Sequence, residues 1–210
     1  MLNKIYLITI FLSSLTGLYH FKKLPLYLKG LSLFLVLTTI IECIGYFFKN
    51  NTWMFNIFTE VEFVFYFLLY RYVLKNSKQK KLIFFFLISS LIASVSNMLF
   101  FQGLNKFNNY SYSYSCILLC ITVILYYQQL LHHDNPQPLI RVSMFWVSTG
   151  LLAFYACNFF FMGLLNYILS VSLDLAKQLF MIITALNIIM YSLFTVGIIC
   201  SATPQRSRLS

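Results

Sequence analysis

The stretch "FYFLLYRYVLKNSKQKKLIFFFLISS" (residues 65–90) joins two runs of aromatic and aliphatic residues through a connector holding Arg71, Lys75, Lys78, Lys80 and Lys81. A helix that crosses a bilayer needs about 20 mainly apolar residues, and cytoplasmic connectors collect Lys and Arg. The stretch therefore reads as the inner end of a helical hairpin that passes through a membrane twice. The rest of the chain repeats the pattern. Apolar runs at 2–20, 28–48, 53–74, 82–101, 110–131, 141–163 and 169–200 predict seven spanning helices separated by short connectors.

Composition agrees. Of the 210 residues, 60% are hydrophobic, 19% aromatic and only 10% charged, against roughly 25% charged in soluble domains. That leaves too little polar surface to cover a water-soluble globule. The expected class is an all-α polytopic membrane protein, with residues 1–202 as the spanning domain and 203–210 as a short polar tail. Residues 1–20 are read as a first span, because "LTGLYHFKK" (15–23) lacks the small-x-small pattern of a leader cleavage site.

The net charge of +10 does not point to nucleic acid, because the basic residues lie in the connectors. Eleven of them (Lys22, Lys23, Lys29, Arg71, Lys75, Lys78, Lys80, Lys81, Arg141, Arg206 and Arg208) fall on one side, and Lys4, Lys49 and Lys106 on the other. This predicts an extracytoplasmic N-terminus, a cytoplasmic C-terminus and residence in the cell (inner) membrane. The lipid bilayer is the expected partner. A protein partner at the basic connector between spans 3 and 4, and self-association, are the further partners considered.

"LYHFKKLPLYLKGLSLF" (18–34) aligns with "LHHDNPQPLIRVSMFW" (131–146) at an offset of 113, pairing His20 with His133, Pro25 with Pro138 and Leu26 with Leu139. Two parallel three-helix units joined by span 4 would produce such a match. That arrangement, with the Pro136–Gln137 pair in a connector, resembles the PQ-loop and SWEET sugar-transporter families. Only one such pair is present, so no function is carried over. "NNTWMFNIFTEVEFVFYF" (50–67) and "FWVSTGLLAFYACNFF" (145–160) are similar to segments of uncharacterised multi-pass membrane proteins of Bacteroidetes-type bacteria, a resemblance that implies no activity or site.

Ionisable groups inside spans cost a few kcal/mol and commonly mark function. At ~1.5 Å per residue, Glu42, Glu60, Asn97, Asn158, Asp174 and Lys177 lie roughly 6–13 Å below the expected outer helix ends. With Asn56, one turn from Glu60, these residues form an expected ligand pocket opening outward. Glu62 stands about 200° from Glu60 around the helix and is assigned to packing or assembly. The same interhelical polar groups would equally serve as structural glue. Span 4, with Ser89, Ala93 and Ser96 on a stripe, is expected to be the central packing helix.

No metal or other cofactor is expected. The histidines His20, His132 and His133, with Asp134, show no HxxxH or HExxH spacing, and Cys43, Cys116, Cys120, Cys157 and Cys200 read as buried apolar side chains. Nucleophile motifs such as GxSxG are missing, so the reading leans away from an enzyme. A binding or sensing protein with a separate signalling partner comes first. The alternatives are a small proton-coupled carrier, an intramembrane lipid-modifying enzyme using the carboxylates as acid and base, and a scaffold or assembly subunit without ligand.

Overall fold

The computed structural model describes residues 2–48, 51–104, 106–132 and 138–203. Among them are eight α-helices and no strand: α1 (Leu2–His20), α2 (Leu26–Phe47), α3 (Thr52–Val73), α4 (Ser77–Ser96, continued by a π turn over Asn97–Phe101), α5 (Asn109–His132), α6 (Ser143–Gly163), α7 (Leu165–Val171) and α8 (Leu173–Ala202). All but α7 are long and apolar enough to cross a membrane. In lipid every backbone N–H and C=O must find a partner within the chain, and the helix supplies those partners locally. The multi-pass, all-helical expectation therefore holds. Residues 204–210, with most of the expected polar tail and Arg206 and Arg208, lie outside the described residues, as do Lys49, His133, Asp134 and the Pro136–Gln137 pair.

Two boundaries differ from the sequence reading. Helix α4 begins at Ser77 rather than 82, because the Asn76 side chain caps it, accepting from the Lys78 amide at 2.9 Å. Lys78, Lys80 and Lys81 thus belong to the first turns of α4, and the connector shrinks to residues 74–76. The last run is broken at Ser172, whose extended backbone ends α7 and whose hydroxyl caps α8 by accepting from the Leu175 amide at 3.3 Å.

Helices α1, α2, α3, α5, α6 and α8 form a closed ring of neighbours, with α4 packed outside on α3 and α5. Span 4 is therefore peripheral, not central. Its buried stripe is Ile83, Leu87, Ser90 and Ser94, where Ser90 bonds Ser115 of α5 at 2.5 Å. Close approach occurs instead between α1 and α2, at Gly17 against Ser32, and at the α6–α8 crossing. A Cβ added at Gly197 would stand 2.8 Å from the Ser143 carbonyl oxygen, and one at Gly150 would stand 3.2 Å from the Met190 carbonyl oxygen. Small residues there let two backbones meet, the usual basis of helix association in lipid.

Candidate functional site

Alternating helix direction brings the starts of α1, α3 and α8 and the ends of α2 and α6 to one end of the ring. Between them lies a cavity of about 500 Å³. Each helix contributes a stripe at helical spacing: Thr52, Phe55, Thr59 and Glu62 from α3; Thr38 and Glu42 from α2; Phe154, Asn158 and Met162 from α6; Phe180, Ile183, Asn187 and Tyr191 from α8. Tyr6 of α1 and Tyr112 of α5 complete the wall. A second pocket of about 330 Å³ adjoins it, reaching Asn3, Tyr46 and Thr184. Tyr6, Glu42, Asn51, Phe55 and Asn187 line both spaces and form the neck between them.

Two carboxyls face this cavity. Glu42 lies roughly 7 Å from the end of α2, and Glu62 roughly 15 Å into α3, close to mid-span. Tyr6 Oη donates to Glu42 Oε1 at 2.8 Å, and Tyr66 Oη donates to Glu62 Oε1 at 3.3 Å. Glu62 is half-buried and lines the cavity. Asn158 is fully buried. Its Nδ2 donates to the Phe154 carbonyl at 3.1 Å, while its Oδ1 has no partner among the described residues.

Of the seven residues expected at the pocket, Glu42 and Asn158 line the cavity and the other five do not. Asn56 is buried outside the cavity, on the side of α3 where it pins the connector between α4 and α5. It donates to the Leu104 and Lys106 carbonyls at 3.0 and 2.8 Å and accepts from the Asn108 amide at 3.1 Å. Asn97 joins the same clasp through Gln102 at 2.6 Å and through Asn108. Asn108 donates on to Ser94 at 2.8 Å, and Asn109 donates to the Met162 carbonyl at 3.0 Å. Asn56 satisfies backbone groups of an irregular segment that has no ladder of its own, and the other amides brace that segment against α4 and α6.

Glu60 shares the face of Asn56. Its carboxyl sits beside Ser94, with Oε2 buried and unpartnered among the described residues. The 200° separation of Glu60 and Glu62 is real, but the faces are exchanged: Glu62 looks into the cavity and Glu60 toward α4. Asp174 and Lys177 are exposed and pair with each other at 2.9 Å. The physical reason is the break at Ser172. It makes Asp174 a first-turn residue, where an acid suits the helix dipole. Helix α8 has 30 residues, about 45 Å against a hydrocarbon core of about 30 Å, so it extends past the bilayer.

The residues missed were Tyr6, Thr38, Thr59, Glu62, Asn187 and Tyr191. A signal existed in the repeat of polar and aromatic residues at 55, 59 and 62 on α3 and at 180, 187 and 191 on α8. What the sequence lacks is which face of each helix turns inward.

Below the cavity the ring is filled. Tyr66, Phe67, Tyr70, Leu35, Leu151 and Phe194 are completely buried, and Tyr70 bonds Ser148 across α3 and α6 at 2.8 Å. The arrangement is thus a blind, aromatic-walled chamber with two carboxyls facing it and the buried Asn158 amide in its wall. Comparison of the chain with family models, curated proteins and solved structures finds no match.

Proposed function

We propose that this protein binds or senses a small amphipathic ligand from the extracytoplasmic side of the cell membrane and hands the signal to a separate partner. The blind cavity is the observation that carries the reading. Its volume of about 500 Å³ falls within the roughly 300–1,000 Å³ of small-molecule sites, and its lining of apolar walls with a few convergent polar groups is their usual make-up. The packed layer beneath favours a dead-end site over a continuous pore. The charge bias of the connectors supports an extracytoplasmic cavity mouth, since the N-terminal end carries few basic residues. The basic turn at the opposite end is held in place by the Lys75 amide donating to Gln129 Oε1 at 2.6 Å, so it offers a defined surface to a partner.

The test is thermal stabilisation of the purified protein in nanodiscs by a small-molecule library of mixed charge. Stabilisation by some members is expected, with loss in Thr59→Trp, which fills the chamber. Equal stabilisation of wild type and Thr59→Trp would place binding elsewhere. A second reading, a proton-coupled carrier, is favoured by the mid-span position of Glu62. It requires solute flux in proteoliposomes that follows a pH gradient, whereas a sensor binds without flux.

A further inference from the structure

The reading of the cavity as a ligand site leaves the ligand's chemistry open, and the groups that face the chamber constrain it. Asn187 and the Tyr112 and Tyr191 hydroxyls can donate as well as accept, but the only groups in the lining that can carry charge near neutral pH are two acceptors. Glu42 and Glu62 present carboxyl oxygens, and the Asn158 amide oxygen is buried in the wall with no partner among the described residues. The orientation of that amide follows from its neighbour, because the Phe154 carbonyl can only take a hydrogen bond from Nδ2. Among the described residues that line the chamber there is no Lys, Arg or His. Two carboxyls enclosed together repel when ionised, and a buried charge is tolerated when a counter-charge is supplied.

The walls complete the pattern. Tyr6 and Tyr191 stand with ring centroids 6.0 Å apart, and Phe55, Phe58 and Phe154 add further aromatic surface. Aromatic faces attract cations and also accept apolar bodies. A space of about 500 Å³ is far larger than a bare metal ion requires. From these observations we infer that the chamber takes a small protonated organic amine. Its ammonium N–H groups would meet Glu62 and Glu42, and its apolar body would lie against the aromatic wall. The inference rests on the ligand-binding reading and narrows it to one class.

The demand of the two carboxyls for N–H donors distinguishes a protonated amine from a quaternary ammonium, which carries charge but donates nothing. Four probes separate the terms: phenethylammonium, 2-phenylethanol and phenylacetate share a ring and differ in charge, and tetraethylammonium is a cation without N–H. Binding to full-length protein in nanodiscs is measured by calorimetry near neutral pH. Phenethylammonium is expected to bind tightest, with the alcohol, the carboxylate and tetraethylammonium weaker by roughly tenfold or more, the scale of a charge-assisted hydrogen bond. Glu62→Gln and Glu42→Gln should each weaken phenethylammonium by about tenfold and change 2-phenylethanol little. Glu60→Gln, outside the chamber, should change neither.

Tighter or equal binding of phenylacetate or 2-phenylethanol overturns the amine assignment while leaving a ligand site in place. So does phenethylammonium binding that survives both glutamine variants. If neither these probes nor the mixed-charge library stabilises the protein, the ligand-site reading falls together with the amine. The ranking of probes on the wild-type chain needs no variant, so a misfolded substitution does not obscure the answer.

Discussion

Replacing Asn56 with Leu separates a residue that holds a connector from one that holds a ligand. Asn56 is 1% exposed and makes three hydrogen bonds to backbone, with the Leu104 and Lys106 carbonyls and the Asn108 amide. Leu has similar bulk and can make none of them. Each lost bond costs about 0.5–1.5 kcal/mol net, more where the orphaned group stays dry. The clasp sits at a helix end, where water can reach part of the freed backbone, so the sum is taken as about 2–4 kcal/mol. Asn56→Asp would fare no better. It keeps an acceptor for the Asn108 amide but turns a carboxylate oxygen toward two carbonyl oxygens. The assay is thermal unfolding in detergent together with amide exchange over the connector. A clear drop in melting temperature is expected, with faster exchange at the Asn108 and Asn109 amides. An Asn56→Leu protein with wild-type stability and unchanged exchange there, but with lost ligand binding, would refute the reasoning and return Asn56 to the pocket.

Other outcomes follow from single contacts. Gly197→Ala places a methyl 2.8 Å from the Ser143 carbonyl oxygen, which is backbone and cannot swing aside; a loss of about 1–3 kcal/mol is expected in unfolding measurements. The Asp174–Lys177 pair is exposed at 84% and 75% of its side-chain surfaces, so a double-mutant cycle with Asp174→Asn and Lys177→Met should return less than about 1 kcal/mol and leave binding intact. Tyr70→Phe removes a hydroxyl bonded to Ser148 at 2.8 Å between fully buried side chains; a cost of roughly 0.5–1.5 kcal/mol, mostly absent when Ser148 is already Ala, is expected. A cysteine introduced at Ser77 beside the basic turn, in a chain with its own cysteines replaced, should resist a membrane-impermeant thiol reagent in intact cells and react once the cells are opened; labelling in intact cells would overturn the proposed orientation.

The helical, membrane-spanning character of the chain was legible in its residues because the bilayer imposes a one-dimensional rule. About 20 apolar residues in succession must be a spanning helix. Runs such as 82–101 obey it wherever they end up in space. Boundaries depended on local chemistry that length alone does not reveal. Asn76 and Ser172 are residue types that cap helices, and a cap at Ser172 shortens the last run and makes Asp174 a first-turn residue.

The site was legible only in part because a single polar residue in a greasy helix does not announce its direction. Glu60 and Glu62 carry the same group two positions apart, and sequence alone places them on opposite faces. Which face turns inward is set by the neighbours of α3: α4 and the connector clasp take Asn56 and Glu60, and the open ring takes Glu62. By itself the sequence determined that this chain is a bundle of spanning helices with carboxyls and amides inside them. Tertiary packing alone decided that Glu42, Glu62 and Asn158 share a chamber while Asn56 and Asn97 clasp a connector. Helix rotation is a property of contacts between distant segments, and the hydrophobic pattern of a lipid-facing helix is too uniform to encode it.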